Sequence, residues 1–193
     1  RSDGKKFGKS EKGALYLDPE KTSPYQLYQY FINVTDDDAV RYLKVLTFLS
    51  KDEIESLAID HYKNPGMRIG QKALAYEVVK TIHGKDKADE AVMMSEVLFK
   101  GDIKTLTKNQ LEEVFSDLTV EVSGDLMLED LLISIKAASS KREAREFANG
   151  NSVLVNGEKV TDPSKVIKKS ESLFQTYTVV RRGKKNYYLV KHI

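Results

Sequence analysis

The sequence contains no cysteine, which removes disulfides, thiolate chemistry and most structural zinc sites. Histidine is nearly as scarce. His61, His83 and His192 lie too far apart to form a metal cluster by spacing, so no metal site is expected. No apolar run approaches the roughly 18 residues that a membrane-spanning helix requires. The chain starts at Arg1 rather than Met and shows no basic-then-apolar leader, so the expectation is a cytoplasmic protein of which this is a fragment. No internal repeat or low-complexity linker is visible.

What is present is the balance of a folded protein, 40% hydrophobic and 31% charged over 193 residues, enough for one full core or two small ones. The net charge of +2 conceals an asymmetry. Residues 1–12 carry 5 basic and 2 acidic groups (+3), residues 13–130 carry 13 and 22 (−9), and residues 131–193 carry 13 and 5 (+8). A basic tail with interleaved tyrosines is a candidate for binding polyanions, whereas the middle is too acidic to grip a phosphate backbone non-specifically.

Cap and turn residues divide the chain into elements. Ser23-Pro24 places an N-cap before a proline at the first helical position and predicts a helix carrying Tyr25, Leu27, Tyr28, Phe31 and Ile32. A second helix is expected over residues 39–48 behind Asp36 to Asp38, and Ser50 with Glu53 has capping-box spacing for a third. Residues 67–83, ending at Gly84, and 86–100, ending at Gly101, read as longer helices, and Thr107 with Gln110 caps a short one. Residues 118–122 alternate like a brief strand. Residues 126–138 read as a helix, and Ser140 with Glu143 caps another that stops at Gly150. Asn156-Gly157, between Val153–Val155 and Lys159-Val160, is the residue pair of a type I′ hairpin turn, and residues 176–182 and 185–191 flank a second turn at Gly183. The expected fold is therefore mainly an α-helical bundle of five or six helices, followed by a small α+β domain. The charge step and the change of period set the boundary near residue 123.

Several clusters invite a functional reading. Gly4, Gly8, Lys9 and Ser10 fall one residue short of the phosphate-binding P-loop spacing, and with Gly13 close behind no helix is expected to open at the Lys-Ser pair, so that motif is rejected. Lys6 and Lys9, with Gly8 between and Ser10 after, can still present point charges to a polyphosphate; the plain alternative is a solvated turn. Tyr25, Tyr28, Tyr30 and Phe31 are expected in the core rather than as a base-stacking platform. Asp36 to Asp38 and His83 are expected to serve helix dipoles. In the tail, Arg142 and Arg145 lie three apart on one helix face, while Glu143 and Glu146 each follow an arginine by one residue and are read as poorly placed to pair with it. Arg181, Arg182, Lys184 and Lys185 crowd one turn, a costly arrangement without a polyanion or free solvent.

Lys6-Phe-Gly-Lys-Ser10, Gly13, Leu17-Asp18, Lys21-Thr-Ser-Pro-Tyr25 and Tyr28-Gln-Tyr-Phe-Ile-Asn33 are similar to bacterial tyrosyl-tRNA synthetases. The similarity continues through Arg41-Tyr-Leu-Lys44, Thr47-Phe-Leu49, Ser140-Lys-Arg-Glu-Ala-Arg145, Val155-Asn-Gly-Glu158 and Arg181-Arg-Gly-Lys-Lys185. This resemblance implies the C-terminal half of a class I aminoacyl-tRNA synthetase. Residues 1–22 would hold the Lys-Met-Ser-Lys-Ser-type catalytic loop and a connector, residues 23–123 an α-helical anticodon-binding domain, and residues 124–193 an αL RNA-binding domain like that of a ribosomal protein. The intact enzyme would be a tyrosine-tRNA ligase using ATP with Mg2+. Lys6 and Lys9 would stabilise charge on the leaving pyrophosphate, with Ser10 as a hydrogen-bond partner.

The resemblance further implies tRNA(Tyr) as partner, through its anticodon stem-loop and its long variable arm, with Arg142, Arg145, Arg181, Arg182, Lys184 and Lys185 on the RNA. Family members form homodimers through a catalytic domain that this sequence lacks, so the fragment alone is expected to be monomeric, inactive and without a bound cofactor. Two rivals stand beside this reading. A tryptophanyl-tRNA synthetase shares the core and loop but lacks the αL tail, and a free-standing, non-enzymatic RNA-binding module would make the loop a coincidence.

Overall fold

Ser23 and Gln26 cap the first helix reciprocally. The Ser23 hydroxyl accepts from the Gln26 N–H at 3.2 Å, and the Gln26 side-chain oxygen accepts from the Ser23 N–H at 3.0 Å. With Pro24 already at helical φ, α1 (Pro24–Ile32) starts where its sequence says it must. The computed structural model describes residues 14–100 and 102–193, which divide into two units between Phe99 and Lys100.

The first unit continues with α2 (Asp36–Leu46), α3 (Lys51–Lys63), α4 (Ile69–His83) and α5 (Lys85–Lys100). Its core is built from Leu27, Tyr28, Phe31, Leu43, Leu74, Val78 and Val79, with α1, α2 and α3 packed on α4. Tyr25, Tyr28 and Phe31 are buried, as the core reading requires. The helix of residues 39–48 begins earlier than expected, because Thr35 is its N-cap and the three aspartates lie inside its first turn. His83 does lie in the last turn of α4, where burial pushes its imidazole below the usual range.

The second unit contains α6 (Lys108–Val114), β1 (Thr119–Val122), β2 (Leu126–Met127), α7 (Leu128–Ser134), α8 (Lys141–Asn149), β3 (Val153–Val155), β4 (Glu158–Lys159), β5 (Val166–Ile167), β6 (Tyr177–Arg182) and β7 (Asn186–His192). The main sheet has the order β1-β7-β6-β3-β4, with β1 parallel to β7 and the other pairs antiparallel; β2 and β5 form a separate antiparallel pair.

The sheet is covered on both faces. On one, Val153, Val155, Val180 and Val190 pack with Leu128, Leu131 and Leu132 of α7 and Ala144 and Ala148 of α8. By strand alternation the other face carries Tyr177, Val179 and Arg181 from β6, paired with Lys191, Leu189 and Tyr187 of β7. Here Phe115 lies 5.8 Å from the Tyr187 ring, and the Tyr177 hydroxyl donates to Glu112 of α6 at 2.7 Å. Residues 108–115, which carry Glu112 and Phe115, therefore belong with the sheet they cover. This corrects the boundary expected near residue 123, because β1 is itself a strand of the sheet and the segment before it forms one of its two coverings.

A second correction concerns the expected helix 126–138. Its first two residues form β2, where Leu126 pairs with Ile167 and Met127 with Val166, and the N–H groups of Leu128 and Glu129 donate to the carbonyls of Lys165 and Pro163. The helix then stops early, where Lys136 takes a left-handed φ of 57° and the N–H groups of Ala137 and Ala138 both turn back to the Leu132 carbonyl.

Candidate nucleic-acid interface

Sequence reasoning gathered six cations in the tail, and the fold distributes them unequally. The β6–β7 hairpin projects Gly183, Lys184 and Lys185 beyond the sheet, and Gly183 adopts the φ of 65° that the turn needs. Lys184 and Lys185 are exposed, with no ion-pair partner among the described residues. They are free point charges on a tight turn.

Arg182 is turned towards the helices. Its Nη1 donates to the Ala137 carbonyl at 2.5 Å, in the bend between α7 and α8, and its guanidinium lies 4.9 Å from the Phe147 ring centroid. Arg181 points to the opposite face, as its neighbour must in a strand, where Nη1 donates to the Tyr187 hydroxyl at 3.2 Å and the guanidinium lies 5.8 Å from that ring. Both arginines thus spend donors inside the fold.

The α8 pair is also divided. Arg142 is exposed and its Nε donates to Glu146 at 3.0 Å. The expectation that Glu146 is badly placed is corrected, since it follows Arg142 by four residues and so shares its face. Arg145 instead reaches across to α7, where its Nε and Nη2 meet the two oxygens of the buried Glu129 at 2.6 and 3.2 Å. Lys141 joins the cluster, 2.7 Å from Asp130 and 3.4 Å from Glu129. The hydrogen bond from Arg145 is the main reason that the Glu129 carboxyl lies below the usual carboxylate range. Sequence reasoning missed Glu129 altogether. Its signal would have been an acid in the first turn of an otherwise apolar helix facing a second, basic helix.

The capping box expected at α8 forms only in part. Ser140 accepts from the Glu143 N–H at 3.2 Å, but the Glu143 carboxylate takes the N–H and hydroxyl of Ser139, each at 2.6 Å. The shifted contact closes the loop before α8 and holds Arg142 at the start of an ordered helix. Lys6, Lys9 and Ser10 lie outside the described residues.

The chain thus joins a helical bundle to a helix-backed sheet whose β6–β7 hairpin presents exposed lysines. Residues 1–100 match the family described as "tRNA synthetases class I (W and Y)", and residues 110–190 match the "Tyrosine--tRNA ligase SYY-like C-terminal domain". The chain belongs to the class I tRNA synthetases of this W and Y family. It is similar over its whole length to proteins named tyrosine-tRNA ligase, at 46% identity in Bacillus caldotenax, 45% in Geobacillus stearothermophilus and 44% in Staphylococcus haemolyticus. In each case it spans 46% of the relative's length, about half. No helix among the described residues is long and apolar enough to cross a membrane.

Proposed function

We propose that this chain is the tRNA-binding part of a tyrosine-tRNA ligase that, in full-length form, activates tyrosine with ATP and Mg2+ and transfers it to tRNA(Tyr) in the cytoplasm. The observation that carries the proposal is the β6–β7 turn, where Lys184 and Lys185 stand exposed and unpaired beside two arginines anchored in the fold. Free lysines on a braced turn suit contact with a phosphate backbone. The family match supports tRNA as the polyanion.

On this reading the sheet-containing unit meets the long variable arm through Lys184, Lys185 and Arg142, while Arg145, Arg181 and Arg182 chiefly brace the surface that presents them. The helical unit serves the anticodon stem-loop. Lys6, Lys9 and Ser10 form the loop that stabilises the departing pyrophosphate, and dimerisation uses the remainder of the enzyme.

Filter binding across a salt series tests the tail. Three phosphate contacts give a log–log slope of roughly −2 to −3, and Lys184→Ala with Lys185→Ala should flatten it by about 1.5 to 2 units. The effect should be smaller on tRNA(Tyr) with a trimmed variable arm. An unchanged slope in the double variant overturns the assignment.

A further inference from the structure

The sheet-containing unit holds a cavity of about 170 Å³ that the tRNA-binding reading does not use. Val155, Ile167, Thr178 and Leu173 line its inner part, the first three of them buried. Lys165, Lys168, Glu158 and Glu171 stand exposed around it. Thr178 lies near the start of β6, at the opposite end of the strand from the Gly183 turn and its lysines. The walls are held rigidly. Asn156, which also lines the cavity, is bonded twice to Val179, through its N–H and its side-chain oxygen, each at 2.8 Å. Leu173 is fixed by paired backbone bonds with Tyr177 at 2.6 and 2.8 Å, closing a turn in which Phe174 and Gln175 take left-handed φ values of 54° and 52°. Side chains of this size avoid that conformation, so the surrounding bonds must enforce it.

The polar groups of the cavity are unequally committed. Lys104 takes the Glu158 carboxylate at 2.5 Å, whereas Lys168 meets Glu171 only at 3.9 Å. Lys165 has no ion-pair partner among the described residues and acts on Glu158 at longer range. Two lysines are thus available to an anion. Inside, the Thr178 hydroxyl lies 2.9 Å from His192 Nε2, while His192 Nδ1 is buried without a hydrogen-bond partner among the described residues. An unpaired N–H is rarer in a buried site than an unpaired acceptor, which puts the ring proton on Nε2 and makes Thr178 the acceptor of that bond. The Thr178 hydroxyl proton then has no acceptor among the described residues and is free to point into the cavity that Thr178 lines.

We propose that this cavity binds a small phosphate monoester, its ring-sized body on Val155, Ile167 and Leu173, an acceptor on that body at the Thr178 hydroxyl, and its phosphate at Lys165 and Lys168. A cavity of about 150 Å³ takes a benzene ring, so this one takes a ring with one substituent. A monoester carries a charge of about −1.5 to −2 near pH 7, which suits two lysines better than a single carboxylate does. The phosphate replaces Glu171 as the partner of Lys168, and Glu158 stays neutralised by Lys104. An apolar, preformed recess with a few convergent polar groups is the common form of a small-molecule site.

The test is an NMR titration of the 193-residue chain with para-nitrophenyl phosphate, phenyl phosphate and inorganic phosphate. Para-nitrophenyl phosphate should bind with a dissociation constant of about 1 mM or tighter and shift the amides of Asn156, Leu173 and Thr178. Inorganic phosphate, which has no body to bury, should bind at least about tenfold more weakly. Lys165→Ala and Lys168→Ala should each weaken the nitrophenyl ester roughly fivefold without lowering the melting temperature, since both lysines are exposed, and Glu171→Gln should tighten it about twofold. The parent should prefer the nitrophenyl ester over the phenyl ester, and Thr178→Val should bind the two alike. Amides that do not shift, or inorganic phosphate that binds as tightly as the esters, overturn the inference. If the parent ignores both esters while Lys165→Ala weakens tRNA binding, the lysines are RNA contacts and the inference is likewise overturned.

Discussion

Arg145 on α8 grips Glu129 on α7 by two parallel hydrogen bonds, Nε to Oε2 at 2.6 Å and Nη2 to Oε1 at 3.2 Å. This fork joins the two helices that back the sheet, and it makes their packing sensitive to acid. The bond from Arg145, helped by the charges of Arg145 and Lys141, holds the Glu129 carboxyl below its ordinary value against the opposing effect of burial. The folded value therefore lies below the unfolded value of about 4.3, so the pair's stabilisation is fully present above that pH and is lost as pH falls through the folded value. Thermal melts should show Glu129→Gln less stable than the parent at about pH 7, with the gap closing towards pH 3. A gap that stays constant over this range would refute the assignment.

Tyr177 gives the corresponding signature in alkali. Donation to Glu112 and burial push its phenol up to about 12. Because the folded value is raised, the contribution to stability is complete below the unfolded tyrosine value of about 10 and is lost as pH rises through the folded one. Absorbance titration should reveal a late-ionising tyrosine that disappears in Tyr177→Phe. A variant with the parent's full titration curve would show that another tyrosine is responsible.

Arg182 and Lys184 stand two residues apart, yet their losses should be felt differently. Arg182→Ala removes a charged hydrogen bond to a carbonyl and a contact over the Phe147 ring, a loss of about 2 kcal/mol in urea unfolding. Lys184→Ala should stay within about 0.5 kcal/mol of the parent while weakening tRNA binding at low salt. Equal stabilities for the two variants would mean that the Arg182 anchor contributes nothing.

The turn at Asn156-Gly157 permits a clean backbone experiment. Gly157 has φ 84°, and a Cβ there would meet Ile103 Cγ2 no closer than 3.8 Å, an ordinary contact. Gly157→Ala should therefore cost about 1–2 kcal/mol from backbone strain alone. Gly66, with no atom within 4 Å and no positive φ, is the control, and Gly66→Ala should not destabilise. Equal effects at the two glycines would contradict the left-handed turn.

Much of the architecture is written in short-range signals. Ser23 with Gln26, Ser50 with Glu53 and Thr107 with Gln110 all form reciprocal caps, because a side chain three residues from its partner needs nothing remote to find it. Asn156 and Gly157 adopt φ 49° and 84°, the hairpin conformation that few other residue pairs tolerate. Asn156 adds a link that the turn motif does not contain: its side chain accepts from the Val179 N–H at 2.8 Å, and its own N–H donates to the Val179 carbonyl at 2.8 Å.

The sequence by itself determined where the reciprocally capped helices α1, α3 and α6 start, which pair of residues makes the hairpin turn, and that charge gathers in the tail. Only the tertiary structure decided what each charge does. Whether Arg145 is free depends on Glu129, sixteen residues away on another helix, and whether Arg182 is free depends on a carbonyl forty-five residues away. The same holds for the division of the chain. Residues 100–118 look like a continuation of the bundle, since helical periodicity records an apolar face but not the surface that will cover it. The sheet face of Val179 and Leu189 exists only once β6 and β7 have paired, and burying it draws Phe115 and α6 into the second unit.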